Sequence, residues 1–141
     1  MSRLRLGLEM DGGSRGRQVR DVVQALAHAT AVRGALLVAA EGFVIAAEVP
    51  PGIAIEPLAA LAATLGRDLE AGATRLGHGA FQTALFSADD GTLFLAASRI
   101  GFVVALADSH GNVQAIRSAL EEAVMAIDSS WTPAEPAASA T

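Results

Sequence analysis

The longest helical pattern in the chain is EPLAALAATLGRDLEAGATRL, residues 56–76. At about 100° per residue, apolar positions spaced by three and four fall on one stripe of a helix. Pro57 suits the first turn, where its missing N–H costs little, and Gly77 follows the last apolar position as a stop. We predict that the helix packs on a core through one stripe, which comprises Leu58, Leu61, Ala62, Leu65, Leu69, Gly72 and Leu76.

Two further stripes run along the same helix. One carries small residues that let another backbone approach closely, namely Ala59, Ala63, Gly66 and Ala73, with Glu70 among them. The other is the most polar and comprises Ala60, Thr64, Arg67, Asp68, Ala71, Thr74 and Arg75. A surface helix of a single domain needs only a core stripe and a polar stripe. The small-residue stripe therefore predicts contact with a partner, and a second copy of the same helix would fit.

Turn residues and apolar periodicity give the rest of the chain an α-β-β-α-β-β-β-α order. Hairpin turns are predicted at Glu41-Gly42, Asp89-Asp90-Gly91 and Ser98–Gly101, because Gly and Asp favour tight turns. The predicted strands cover about residues 35–40, 43–49, 80–87, 92–97 and 102–107, and the flanking helices about residues 16–30 and 113–128. We assign an N-terminal arm to residues 1–15, one domain to residues 16–128 and a loose C-terminal tail to residues 129–141.

The N-terminal arm, MSRLRLGLEMDGGSR, has a pattern of its own. Its apolar residues alternate with polar ones, which is the period of a strand. The apolar set is Leu4, Leu6, Leu8 and Met10, and the charged set is Arg3, Arg5 and Glu9. Asp11-Gly12-Gly13-Ser14 then breaks the pattern. The arm is thus either a mobile terminus or a short extra strand on a sheet edge.

The predicted strands are apolar on both faces, whereas a sheet with one wet face would alternate. Five strands at about 4.8 Å spacing make a sheet roughly 24 Å wide, and one helix is about 10 Å across. The first and last helices together can cover one face, but the central helix alone cannot cover the other. The sequence therefore predicts that a partner shields part of this second face.

Composition narrows the function. The chain has 141 residues, is 52% hydrophobic and 18% charged, and carries a formal net charge of −5. This indicates one packed domain and argues against a nucleic-acid partner. There is no Lys and no Cys, which excludes P-loop and Schiff-base lysine chemistry, disulfides and thiolate ligands. No apolar run reaches the length of a membrane span and no signal-peptide block opens the chain, so we expect a cytoplasmic protein without membrane insertion.

Few residues suggest chemistry. Asp108-Ser109-His110 has the residue types of a hydrolase triad, but a triad is assembled from distant positions, and capping of the last helix is the better interpretation. Asp89 and Asp90 are explained by their turn, and the histidines lack metal-ligand spacing. Arg99 is predicted at a hairpin tip, from which an arginine finger could project, although a solvated turn residue is the commoner case. We predict no catalytic residue, no metal site and no cofactor.

The order of the apolar runs and glycines resembles a known family. Similar segments occur in the roadblock/dynein-light-chain family, particularly its bacterial MglB-like branch: GALLVAAEGFVIAAE, EPLAALAATL, LGHGAF, GTLFLAASRIGFVVALAD and NVQAIRSALEEAV. The resemblance implies a profilin-like α+β fold, a five-stranded antiparallel sheet of order 2-1-5-4-3 with two helices on one face and one on the other. It also implies a homodimer through the central helix and the third strand. The implied interface comprises Ala59, Ala63, Gly66, Glu70, Ala73, Phe81 and Thr83.

The resemblance further implies a non-catalytic role. The homodimer would be a platform that binds a Ras-like small GTPase and modulates its nucleotide cycle, in MglB-like members as an activating partner. The polar stripe of the central helix then supplies the contact candidates Thr64, Arg67, Asp68, Ala71 and Arg75. Two other classes stay open, an assembly adaptor without effect on GTP hydrolysis and a small-molecule sensor. A sensor needs a pocket with polar groups aimed inward, and these strands offer few.

Overall fold

A five-stranded antiparallel sheet lies between two helical layers in the computed structural model, which describes residues 16–130. Helix α1 covers residues 16–27 of the described chain. The other elements are β1 Val32–Val38, β2 Val44–Glu48, α2 Ile55–Arg75, β3 Thr83–Ala88, β4 Gly91–Ser98, β5 Gly101–Ala107 and α3 Val113–Ser130. The predicted element order is confirmed. The N-terminal arm and residues 131–141 of the predicted tail lie outside the described residues.

The strands are ordered β2-β1-β5-β4-β3, and every neighbouring pair is antiparallel. This confirms the order that the resemblance implies. β5 is central, because Val104 lies opposite Leu36 of β1 on one side and opposite Leu95 of β4 on the other. β2 and β3 are the two edges, so each has one hydrogen-bonded neighbour strand within residues 16–130.

Both faces are buried at the centre of the sheet. Leu36 and Leu37 are consecutive in β1 and therefore point to opposite faces, yet both are 0% exposed. Leu37 joins the core formed with α1 and α3, which includes Ile116 and Leu120. Leu36 joins the core beneath α2. The prediction that both faces are covered is therefore confirmed for the central strands.

Helix α3 begins with a side-chain cap. Asn112 Oδ1 accepts a hydrogen bond from the backbone N–H of Ala115 at 3.1 Å, which satisfies one amide group left free in the first turn. The turn before α3 thus caps the helix, through Asn112 rather than through the side chains of Asp108, Ser109 or His110. The helix runs beyond the predicted domain boundary, because Ser129 and Ser130 are still helical. Ser130 Oγ donates a hydrogen bond to the carbonyl oxygen of Ala126 at 2.9 Å.

Helix α2 packs on the sheet through its small-residue stripe and the adjoining side of its predicted core stripe, where Ala62 is buried and Leu58 and Leu65 pack against the core. The helix is therefore rotated from the predicted orientation. Ala59 and Ala63 are each 1% exposed, whereas Leu61 and Leu69 of the predicted core stripe are 48% and 37% exposed. The bounds of the helix agree with the prediction, and the chain leaves it through Gly77 at a φ of +72°, a conformation suited to glycine.

Gly66 shows why the small residues face the sheet. A Cβ atom at this position would lie 2.5 Å from Cζ of Phe102 on β5, closer than real Cβ atoms come to a neighbour. Phe102 is 2% exposed, so its ring fills the space directly beneath the helix. Small residues on α2 let the helix sit close to this ring. Interiors are closely packed, so a larger residue at this position would force the ring or the helix to move.

Candidate protein-binding surfaces

The turn before α3 does not assemble a triad. Asp108 and His110 are exposed, and Asp108 Oδ1 lies 3.5 Å from Nη1 of Arg33 on β1. In the part of the chain that the structure describes, no group of three or more His, Asp and Glu side chains is arranged to hold a metal ion. The described helices also include none that is long and apolar enough to cross a membrane.

Arg99 lies in the turn between β4 and β5, where the sequence predicts it, and it is exposed. Its backbone N–H donates a hydrogen bond to Asp128 Oδ1 on α3 at 2.8 Å. This bond ties the turn to the C-terminal part of α3. The turn is bonded to the helical layer opposite to α2, because α3 and α2 cover different faces of the sheet.

An apolar surface lies beside α2, on the half of the face that the helix leaves open. Leu65 and Leu69 share a cavity of about 160 Å³ with side chains of β3 and β4. Phe86 of β3 pairs with Leu93, which belongs to the core beneath α2, so Phe86 points to the same face and is 58% exposed. We call this the α2–β3 surface, defined by Leu61, Leu65, Leu69, Ala84 and Phe86. The sequence predicts that α2 leaves part of this face uncovered, and this surface is that part. It is formed by leucines of α2 and by β3, however, and not by the small-residue stripe.

The predicted interface residues divide into two groups. Ala59, Ala63 and Gly66 are buried against their own sheet, so their predicted orientation toward a partner is wrong. Close packing on the Phe102 ring is the physical reason. The others lie at or near the surface: Glu70 is exposed, and Ala73, Phe81 and Thr83 are half-buried. Thr83 begins the edge strand β3 and pairs with Ala96 of the core formed with α1 and α3, so its side chain lies on the face opposite to that of Phe86.

The polar stripe of α2 faces solvent, as the sequence predicts. The structure places the five contact candidates along one exposed side of the helix: Thr64, Arg67, Asp68, Ala71 and Arg75. A wide, shallow depression runs between several of them and is also lined by Glu70 and Thr74. The stripe offers donors, acceptors and charges of both signs on a rigid helix, which suits recognition of another protein.

Arg67 has a second contact that sequence reasoning missed. Its Nη1 donates a hydrogen bond to the carbonyl oxygen of Ala40, in the turn between β1 and β2. The two residues are 27 positions apart, and no local pattern links them. Arg67 therefore ties this turn to α2 and brings it next to the polar stripe.

A second apolar surface lies at the opposite edge of the sheet. Phe43, Val44 and Ile45 are 71%, 36% and 41% exposed. The apolar run through these residues predicts a strand covered on both faces, and that prediction is wrong here. Hydropathy does not distinguish an edge strand from a central one, because the position of a strand in the sheet depends on the strand order. We call residues 43–45 and the open backbone edge of β2 the β2 edge surface.

Comparisons with known proteins agree with this architecture. Residues 18–108 match the family model of the Roadblock/LC7 domain. MglB of Myxococcus xanthus superimposes with a TM-score of 0.76 at 16% sequence identity, covering 81% of this chain and 87% of that chain. The gliding protein mglB of Thermus thermophilus superimposes with a TM-score of 0.72 at 21% identity, covering 82% and 90%. No curated protein sequence matches the chain significantly.

A more distant structural neighbour defines the fold class. Profilin II of Acanthamoeba castellanii superimposes with a TM-score of 0.52 at 13% identity, covering 70% of this chain and 86% of that chain. The fold is therefore profilin-like, as the resemblance implies. The family match at residues 18–108 spans more than half of the chain and takes in the whole sheet and α2. The chain belongs to the Roadblock/LC7 family.

Proposed function

We propose that the protein is a non-catalytic, cytoplasmic platform that dimerises and binds a Ras-like small GTPase to modulate its nucleotide cycle. Membership of the Roadblock/LC7 family and the likeness to MglB structures support this class of function. The observation that carries the proposal is the geometry of α2. One side of this helix adds to an exposed apolar surface, and the adjacent side is an exposed polar stripe.

The α2–β3 surface is suited to a second copy of the chain. Leu61, Leu69 and Phe86 are each roughly half exposed, and full burial of such a side chain contributes about 1.5–3 kcal/mol. Completing the burial of all three in both copies contributes roughly 6 kcal/mol. The open backbone edge of β3 can add hydrogen bonds by antiparallel pairing with its counterpart. A two-fold arrangement satisfies both requirements, because each copy presents the same patch.

Dimerisation through this surface places the polar stripes of both α2 helices side by side. Thr64, Asp68 and Arg75 then face away from the sheet on a broad surface made by two helices. Such a surface can act on a GTPase by reshaping its switch loops rather than by adding a catalytic group. That mechanism requires different affinities for the two nucleotide states, since equal affinity shifts no equilibrium.

The proposal is tested with a Ras-like GTPase encoded in the same genome, loaded with GDP or with a non-hydrolysable GTP analogue. We expect calorimetry to show binding to one state at least tenfold tighter than to the other, and an altered turnover rate. The charge-swapped variant Asp68→Arg/Arg75→Glu is expected to lose at least tenfold in affinity while sedimenting as the parent. Arg117→Glu/Glu121→Arg on α3 is the matched control with unchanged net charge, and it should bind normally.

Two outcomes would redirect this conclusion. If no such GTPase binds in either state, the regulator hypothesis is wrong. If both states bind equally and turnover is unchanged, the protein is an assembly adaptor. Arg99→Ala addresses the remaining alternative. We expect turnover with this variant to stay within a few-fold of the parent, whereas a loss of a hundredfold or more would indicate an arginine finger.

A further inference from the structure

The β2 edge surface groups three consecutive exposed apolar side chains, and the proposed function does not use it. Val44 pairs with Val38 of the core beneath α2, whereas Ala46 pairs with Leu37 of the core beneath α1 and α3. Apolar side chains thus flank the edge on both faces of the sheet, and Phe43 is 71% exposed beside them. Proteins normally protect such an edge with charges, proline or a covering segment, because it can pair with other chains.

The start of α1 lies at the same end of the sheet as this surface. Ala31 lies beside Gly111, so α1 ends near the beginning of α3. Residues 22–29 of α1 and the following loop share a groove with residues 119–126 of α3. The two helices are therefore antiparallel, and α1 begins near the end of α3. Asp128 of α3 is bonded to the β4–β5 turn, and that turn is beside Val38 and the start of β2. Gly16, the first described residue of α1, therefore lies toward the end of the sheet where β2 begins at Val44.

The first 15 residues have the length to reach the open edge of β2. Residues 11–15 span up to about 17 Å when extended, which exceeds the roughly 10 Å that separates a helical layer from a sheet. Residues 3–10 extended span about 26 Å, enough to pass all five residues of β2. The direction is also fixed. β2 runs from Val44 to Glu48. An arm whose C-terminal end lies near Val44 is therefore antiparallel to β2.

We propose that residues 3–10 pair with the open edge of β2 as an antiparallel sixth strand. The alternation of leucine and arginine in the arm suits an edge position with one apolar face. In this direction Arg3 and Arg5 arrive near Glu48, the last residue of β2. Arg67 lies beside the β1–β2 turn, and its Nη1 is directed to the Ala40 carbonyl. His28 Nε2 lies 3.9 Å from Glu48 Oε2 on the side of α1.

The C-terminal segment fits the same edge poorly. It reads WTPAEPAASAT over residues 131–141, and Pro133 and Pro136 lack the N–H groups that a paired strand must donate. Its charged residue, Glu135, has the same sign as Glu48. Coverage of β2 by the arm leaves β3 as the open edge within the sheet. Self-association through β3 then closes at a dimer instead of continuing from sheet to sheet.

Hydrogen exchange measured by mass spectrometry tests this assignment. In the full chain we expect the amides of residues 4–10 and 44–48 to exchange at least tenfold more slowly than an unstructured peptide. Deletion of residues 1–12 should raise exchange at 44–48 by at least tenfold and leave the central strand β5 unchanged. Leu6→Asp/Leu8→Asp should do the same without shortening the chain, whereas Glu9→Gln, on the polar side of the arm, should not.

Several results would overturn the proposal. One is fast exchange of residues 4–10 in the full chain, and another is unchanged exchange at 44–48 after the deletion. Since the chain has no Cys, engineered cysteine pairs report the direction independently. A cysteine at Arg5 should form a disulfide with one at Glu48 and not with one at Val44. The reverse preference, or cross-links found only between copies in a mixed-mass sample, would contradict an antiparallel strand within one chain.

Discussion

A single methyl group added at Gly66 tests how α2 packs on the sheet. In the interior of a helix, Gly→Ala is ordinarily stabilising by about 1 kcal/mol. Here the new Cβ would lie 2.5–2.6 Å from three ring atoms of Phe102, and this ring is too deeply buried to swing into solvent. Overpacking of this kind costs about 1–3 kcal/mol. We therefore expect Gly66→Ala to lower the free energy of unfolding by on the order of 1 kcal/mol.

The same helix provides a matched control. A Cβ at Gly72 meets no atom within 4 Å, so Gly72→Ala should raise the free energy of unfolding by up to about 1 kcal/mol. Shortening the ring tests the cause directly. In the Phe102→Leu background, Gly66→Ala should cost less than in the parent, which a double-mutant cycle measures as a coupling energy.

Urea denaturation followed by circular dichroism at two protein concentrations gives these free energies, and sedimentation reports self-association separately. We expect Gly66→Ala to change the unfolding midpoint and to leave the self-association of the folded protein unaltered. A variant that is more stable than the parent but associates more weakly would refute it. Gly66 would then face a partner, and the packing on Phe102 would be incorrect.

Four further predictions follow from particular contacts. Leu69→Asp should convert the dimer to a monomer in sedimentation with an unchanged circular dichroism spectrum, because it places an unpaired carboxylate in the α2–β3 surface; Met125→Asp, at a 69% exposed position on α3, should sediment as the parent. Arg67→Ala should accelerate hydrogen exchange in the turn at residues 39–43 and cost less than about 1 kcal/mol in urea denaturation, because the bond is exposed. Asn112→Ala should cost about 1 kcal/mol and Asn112→Asp much less, since Asp also caps. Truncation after Ser130 should leave the melting temperature within about 5 °C, and a larger fall would show that the tail is docked.

The sequence was sufficient to predict the elements of this fold, because each boundary has local chemistry. Gly77 ends α2 in the conformation that glycine favours, and Asn112 caps α3. Apolar runs on both faces of β1 predicted two cores, and the structure contains them. The strand order came from the family resemblance. It could not come from periodicity, since β1 pairs with β5 across more than sixty intervening residues.

The orientation of α2 could not be predicted from the sequence because hydropathy and packing rank its residues differently. Leucine gains more than alanine from leaving water, so a hydropathy pattern assigns the leucine stripe to the core. Close packing depends on what stands opposite, and here it is the ring of Phe102. Substitution of Ala63 or Gly66 by glutamate would therefore destabilise the core of the protomer, whether or not a partner is bound. Leu69 is the informative position for dimerisation.

The orientation of α2 on the sheet bears directly on function. If the leucines of α2 faced the sheet, the helix would present small residues and polar residues to a partner, and little apolar area would be left to hold two copies together. Because the small stripe lies against β5 instead, Leu65 and Leu69 lie beside β3 and the polar stripe points away from the sheet. In the proposed function, assembly and recognition then use different sides of one helix. A change on the polar side, such as Asp68→Arg, can therefore alter recognition without disturbing the dimer, which makes the two roles separable by experiment.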